Sequence, residues 1–201
     1  MTLTVHPEAK ALIFDLDGTL SNSLPLHVET WNKIGDIYGF TFDPRIVQEM
    51  TGRPTIEFAK RIVNQYGLSE EPQIIVNQKQ ALFRELAHLL KPVEEIHAIV
   101  EEYYGKLPLA VGTGASRKSA VVQLSELNLI HYFDAIVSAD DVKNHKPEPD
   151  TFLECARIMK VEPQLCQVFE DGDLGIVAAQ KAGMIVTDVR PHINYGEWVL
   201  S

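Results

Sequence analysis

Five short apolar runs, most of them separated by helix-length segments, constrain the fold of this chain more than any other feature. They are ALIFDL (11–16), PLAVGTG (108–114), DAIVSAD (134–140), QVFED (167–171) and MIVTDV (184–189). Each is nearly continuous in apolar, strand-forming residues, as strands covered on both faces must be. From the second run onward the intervening stretches SRKSAVVQLSELNL, PDTFLECARIMK and DLGIVAAQKAG carry helical patterning. Strands alternating with helices of this length specify an α/β fold with a parallel five-stranded sheet flanked by helices and joined by right-handed crossovers.

The alternation lapses once. Residues 21–90 hold helical patterns such as LPLHVETWNKIGDIYG, TIEFAKRIVNQYG and EPQIIVNQKQALFRELAHLL, broken at Gly or Pro. Roughly seventy residues exceed an ordinary crossover, so an all-helical subdomain is expected at 21–90, inserted into a core formed by 1–20 and 91–201. A chain of 201 residues is long enough for one sizeable core with such an attachment.

The insertion leaves the sheet just after two aspartates separated by one Leu. If strand geometry persisted through them, Asp15 and Asp17 would face the same way, roughly 7 Å apart. Paired carboxylates at the rim of an apolar sheet need a compensating cation or a shared proton. A hard cation such as Mg²⁺ needs further oxygen ligands, and Glu170 and Asp171, at the end of the fourth run, supply them. Ligands of open parallel sheets bind beyond the carboxyl ends of the strands, where all of these acids fall. At the end of the second run, Thr113 offers a hydroxyl, and Gly114 an N–H expected at the start of the next helix, where anions are favoured. Lys146 adds a cation in a loop stiffened by Pro147 and Pro149. Any one of these features has an ordinary explanation as a turn, a cap or a surface residue. Their common placement at strand ends is what points to a site.

The net charge of −10 and the absence of a Lys/Arg block argue against a nucleic-acid partner, so cations for an anionic substrate must be gathered locally. The start, MTLTVHPEAK, lacks a secretory pattern and no stretch has the length of a membrane span, which predicts a cytoplasmic protein with no membrane partner. Cys155 and Cys166 fit no metal or redox spacing and are expected as buried, reduced thiols.

With these residues in place the chain resembles the haloacid dehalogenase superfamily over nearly its whole length. The first motif, DxDGT, is matched by Asp15 to Thr19, the second by Thr113, the third by Lys146 in KPEPD, and the fourth by Glu170 and Asp171 in EDGDLGI. The resemblance implies a Rossmann-like sheet with a helical cap. It also implies that Asp15 is a nucleophile forming an aspartyl phosphate and that Asp17 is a general acid–base. Mg²⁺ would be held by Asp15, Asp171 and the backbone carbonyl of Asp17, and Thr113, Gly114 and Lys146 would hold the transferring oxygens. A chloride leaving group needs no acid at Asp17, so phosphoryl transfer is expected rather than dehalogenation.

Within the superfamily the chain is similar to the β-phosphoglucomutase group and its sugar-phosphatase relatives. His27 and Trp31 in LHVETW, Gly52 and Arg53 in TGR, and Lys79 fall where that group has cap residues near the substrate. The group's mutases carry an Arg three residues beyond the cap Gly, where this chain has Thr55. That departure, with VGTG, HYFDAIV, VKNHKPEPDTFL and VFEDGDLGI, points to the bacterial fructose-1-phosphatase and 6-phosphogluconate phosphatase type. The expectation is a monomeric, Mg²⁺-dependent phosphatase of small sugar phosphates. A β-phosphoglucomutase-like isomerase and a non-enzymatic interaction module are the alternatives.

Overall fold

The computed structural model describes residues 3–193. Five strands, β1 (Ala11–Phe14), β2 (Leu109–Gly112), β3 (Ala135–Val137), β4 (Cys166–Glu170) and β5 (Ile185–Asp188), form one parallel sheet in the order β3-β2-β1-β4-β5. The chain steps outward from β1 to β3, then returns to the other side of β1 to lay down β4 and β5. The strand order therefore reverses at β1, and a crevice opens beyond its carboxyl end. All five expected runs are strands of this sheet.

Alternation along β1 explains why both sheet faces must be covered. Leu12 and Phe14 join one apolar cluster with Leu109, Val111, Phe169 and residues of α5 (Glu94–Tyr103) and α6 (Arg117–Glu126). Ala11 and Ile13 join a second with Ala110 and Val168, against α7 (Asp150–Met159) and α8 (Asp173–Lys181). Phe14 stacks on Phe169 with ring centroids 5.0 Å apart, and truncating such a buried ring to Ala costs about 3–5 kcal/mol. Both cysteines are buried and unpaired, Cys155 on α7 and Cys166 at the head of β4.

Between β1 and α5 lie α1 (Leu24–Tyr38), α2 (Arg45–Met50), α3 (Thr55–Tyr66) and α4 (Pro72–Leu86), the last extended by a short 3-10 turn. Pro25 and Pro72 sit in the first turns of α1 and α4, where a missing N–H costs nothing. Gly39 and Gly67 end α1 and α3 in left-handed conformation. These four helices bury a third apolar cluster, built on Trp31, Ile34, Ile46, Ile62 and Ile75, whose members all fall between Leu24 and Leu82. No described helix is long and apolar enough to cross a membrane.

The structure departs from the sequence reading in three places. Strand geometry stops at Phe14, because Gly18 adopts φ +88° and its N–H closes a turn on the Ser21 carbonyl, so Asp15 and Asp17 do not share a strand face. Gly114 is not at the start of a helix. It lies two residues before Ser116, whose side chain caps α6 by accepting from the Ser119 N–H. Helices α2 and α5, which the sequence reading did not single out, are present.

Candidate active site

Parallel registry sets the site. Asp15 follows β1 and donates its N–H to the Phe169 carbonyl at 3.0 Å, which puts it level with the end of β4. Thr113 follows β2, its N–H bonded to the Val137 carbonyl at 2.9 Å. Glu170 ends β4 and Asp171 follows it. Lys146, from the loop before α7, reaches between them: its Nζ donates to Asp15 Oδ1 at 2.6 Å and to Glu170 Oε2 at 2.7 Å, with the Lys146 side chain fully buried.

Glu170 is engaged at both oxygens, since Oε1 accepts from the Gly172 N–H at 2.9 Å. Asp171 Oδ1 accepts from Thr19 Oγ1 at 3.0 Å. Gly18 makes room for this carboxylate, because a Cβ there would lie 2.2 Å from Asp171 Oδ2. Asp15, Glu170 and Asp171 each place an oxygen within 4.8 Å of the others, all three buried. Three carboxylates facing one ammonium leave excess negative charge out of water. Burial first, then the Glu170 charge, pushes the Asp15 carboxyl up to about 8. Burial, Glu170 and Asp15 likewise hold Asp171 well above the usual carboxylate range. Lys146 is displaced the other way: burial would lower it, but the charges of Asp15 and Glu170 raise it. A buried, oxygen-only, electron-rich cluster of this kind fits a divalent hard cation.

Asp17 occupies a different environment. Its Oδ1 accepts from Ser23 Oγ at 2.6 Å, from the His27 ring at 2.8 Å and from Gln123 Nε2 at 2.8 Å. Burial alone would raise this carboxyl, but the His27 interaction and the Ser23 and Gln123 donors outweigh it and hold Asp17 well below the usual range. Lys79 Nζ lies 2.6 Å from His27 Nδ1. An ammonium can only donate, so Nδ1 accepts and Nε2 carries the proton given to Asp17, which makes His27 the neutral tautomer. Burial and the Lys79 charge lower the His27 pKa, in keeping with that assignment. Lys79 is buried between His27 and the faces of Phe83 and Trp31, and burial pulls it down to about 8.

These groups surround a cavity of about 60 Å³, lined by Asp15, Asp17, Thr113 and Gly114 on the sheet side and by His27, Trp31, Gly52, Arg53 and Lys79 on the helical side. The approach of the two sides is close. A Cβ on Gly114 would lie 2.3 Å from the Gly52 carbonyl oxygen, and one on Gly52 would lie 3.3 Å from Lys146 Cδ. Trp31 is almost wholly buried between Phe42 and Phe58 and forms the cavity wall from within the third cluster. Arg53 reaches the cavity while its Nη1 is bonded to Glu57 Oε2 at 2.7 Å. Every residue singled out from the sequence thus falls into two adjoining groups, the acid–lysine cluster and the cavity beside it.

Sequence reasoning missed Gln123 and Ser23, and it gave Thr19, the last residue of the first motif, no role of its own. Gln123 did carry a signal: three residues after Ala120 and beside Leu124, it is a polar residue on the buried face of α6. Ser23 offered none beyond lying near the first motif.

Comparison with known proteins agrees with this geometry. The family model for haloacid dehalogenase-like hydrolase matches residues 12–189. The chain is 42% identical over 181 residues to fructose-1-phosphate phosphatase YqaB of Escherichia coli (strain K12), covering 89% of this chain and 95% of that protein. It is 31% identical to a phosphorylated carbohydrates phosphatase of Thermotoga maritima, covering 87% of this chain and 82% of that one. Its fold matches the crystal structure of beta-phosphoglucomutase from Clostridium difficile with a TM-score of 0.79 and 25% identity, over 90% of this chain and 84% of the other. The strand order, the four motifs gathered beyond the strand ends and these matches place the chain in the haloacid dehalogenase-like hydrolase family.

Proposed function

We propose that this protein is a Mg²⁺-dependent phosphatase of small sugar phosphates, with residues 21–90 acting as a cap over the core. One observation carries the reading: the two aspartates of the first motif have opposite environments, Asp15 beside Lys146 and two further carboxylates, Asp17 under three neutral donors. Groups set apart in this way do different work.

In the first half of the reaction an Asp15 carboxylate oxygen attacks phosphorus, and the bond to the sugar oxygen breaks. That oxygen leaves with a proton from Asp17. In the second half Asp17 takes a proton from water as the water oxygen attacks phosphorus, and Asp15 is released with inorganic phosphate. Before substrate binds, these donors keep Asp17 ionised, as the base of the second half requires. A phosphate dianion arriving beside it raises its pKa by like-charge repulsion and favours the proton needed in the first half. All three donors converge on Oδ1, which leaves Oδ2 as the oxygen for this transfer. Lys146 holds Asp15 in line and offsets phosphate charge, with Thr113 Oγ1 and the Gly114 N–H as neutral donors. Mg²⁺ held by Asp15, Asp171 and the Asp17 carbonyl would neutralise the remaining charge and orient the phosphate. Glu170, with both oxygens engaged, serves by fixing Lys146.

The relationship to YqaB supports fructose 1-phosphate as a substrate to test first. Purified protein with Mg²⁺ and a panel of sugar phosphates should release inorganic phosphate, and Asp15→Asn should release none. Conversion of β-glucose 1-phosphate to glucose 6-phosphate without phosphate release would show a mutase instead.

A further inference from the structure

The buried ammonium of Lys146 has a neighbour to which the reaction above gives no part. Phe152, in the first turn of α7, turns the face of its ring to Lys146 Nζ, with the ring centroid 4.6 Å away. Both side chains are fully buried. An ammonium over an aromatic face within about 6 Å is attracted by the ring's quadrupole, most strongly where water is excluded. Asp15 and Glu170 hold the same Nζ by ion pairs at 2.6 and 2.7 Å, so the ring is a third partner, and an uncharged one.

Strand β2 is shaped to admit this ring. Gly112 ends the strand outside the left-handed region, so its backbone conformation does not call for glycine. A Cβ there would lie 3.0 Å from Phe152 Cδ1 and 3.1 Å from Cε1. Glycine in a strand marks such a close approach. Burial alone would be met by any apolar side chain in this cluster, which also holds Ile13, Val137 and Cys155. An aliphatic one would leave the ammonium without its uncharged partner.

We propose that Phe152 is a positioning residue, holding the Lys146 ammonium by a cation–π contact while the phosphoryl group is on Asp15. The proposal rests on the phosphatase reading. Once an Asp15 oxygen has bonded to phosphorus and the sugar oxygen has left with the Asp17 proton, Asp15 is no longer a free carboxylate, and its ion pair with Lys146 weakens. The pull of the ring does not depend on that change. Glu170 and Phe152 therefore keep the ammonium at the transferring group until water releases phosphate and the Asp15 carboxylate returns.

Site-specific replacement of Phe152 by 4-fluoro-, 3,5-difluoro- and 3,4,5-trifluorophenylalanine tests this, because fluorine withdraws electrons from the ring face with little change of shape. On the sugar phosphate that wild type turns over fastest, kcat should fall with each added fluorine, to about one tenth in the trifluoro variant. Melting curves verify folding; should the trifluoro variant not fold, the other two carry the same comparison. A packing role would not order kcat by ring electrons. A level kcat across the folded variants overturns the role of Phe152 and leaves the phosphatase reading standing. Absence of phosphate release by wild type from the whole sugar-phosphate panel removes that reading, and this inference with it.

Discussion

At the scale of single residues, the proposed reaction depends on how Asp17 is held. Gln123 donates to it from α6, a core element, whereas Ser23 and His27 lie at or within the start of the helical insertion. Gln123 thus ties Asp17 to a helix packed on the sheet. Replacing it with Leu removes a donor that lowers the Asp17 pKa, so the acid limb of the pH–rate profile should move to higher pH as kcat falls about tenfold. A purely structural role would lower kcat at every pH without moving the limb. Asp17→Asn should retain phosphate binding and slow turnover by about 10² to 10⁴, the usual worth of a general acid–base; weakened binding with normal turnover would contradict that role. Lys79 makes a second residue-scale case. Its pKa is lowered from 10.5 to about 8 by burial. The ammonium is charged in both folded and unfolded chains below pH 8 and neutral in both above 10.5, so its desolvation cost is full at pH 7 and vanishes across that window. Wild type should therefore gain on the order of 3 kcal/mol relative to Lys79→Met between pH 8 and 10.5, measured by denaturant titration. A pH-independent difference between the two proteins would contradict this.

At the scale of elements, the site exists because a loop of the insertion seats on two loops of the core. Gly52 rests over Lys146, and Gly114 leaves room for the Gly52 carbonyl where any side chain would collide. Gly114→Ala should hold this loop off the core and reduce kcat/KM by tenfold or more while leaving the melting temperature nearly unchanged, because the displaced contact lies between two separately packed clusters. Unaltered kcat/KM would mean that this approach is not used in turnover. Which parts were legible in the sequence follows from the range of the interactions. The five runs and the acids at their ends could be read because strand burial and motif spacing are local. The turn at Gly18 that ends β1 could not, since it depends on Asp171 packing across 153 residues of chain. Lys79 could be read as a cap residue near the substrate only through the family resemblance; its burial against His27 and Phe83 follows from how α1 and α4 pack. Arg53 was legible in TGR, but only the fold shows that it reaches the cavity while bonded to Glu57.

At the scale of the whole molecule, the acid cluster should make stability depend jointly on pH and on a bound divalent cation. Asp15, raised to about 8, and Asp171, also raised, bind protons more tightly when folded than when unfolded. Carboxyls shifted upward contribute stability in full below their unfolded pKa near 4 and lose it as pH rises through the folded value. Metal-free protein should therefore lose stability between about pH 4 and pH 8, as excess charge accumulates around one ammonium. A divalent cation that binds only the folded state offsets the loss, by an amount set by its concentration relative to Kd. Protons compete for the same oxygens, so the stabilisation by Mg²⁺ should be small at pH 5 and grow steadily toward pH 8. Melting temperatures with millimolar Mg²⁺ and with EDTA, taken across that range, give the difference directly. Asp171→Asn removes one charge of the cluster without touching Lys146, and should flatten both the pH dependence of the metal-free protein and the response to Mg²⁺. If the Mg²⁺ increment in wild type is the same at pH 5 and pH 8, the ion is bound elsewhere and the cluster's charge must be balanced by protons alone.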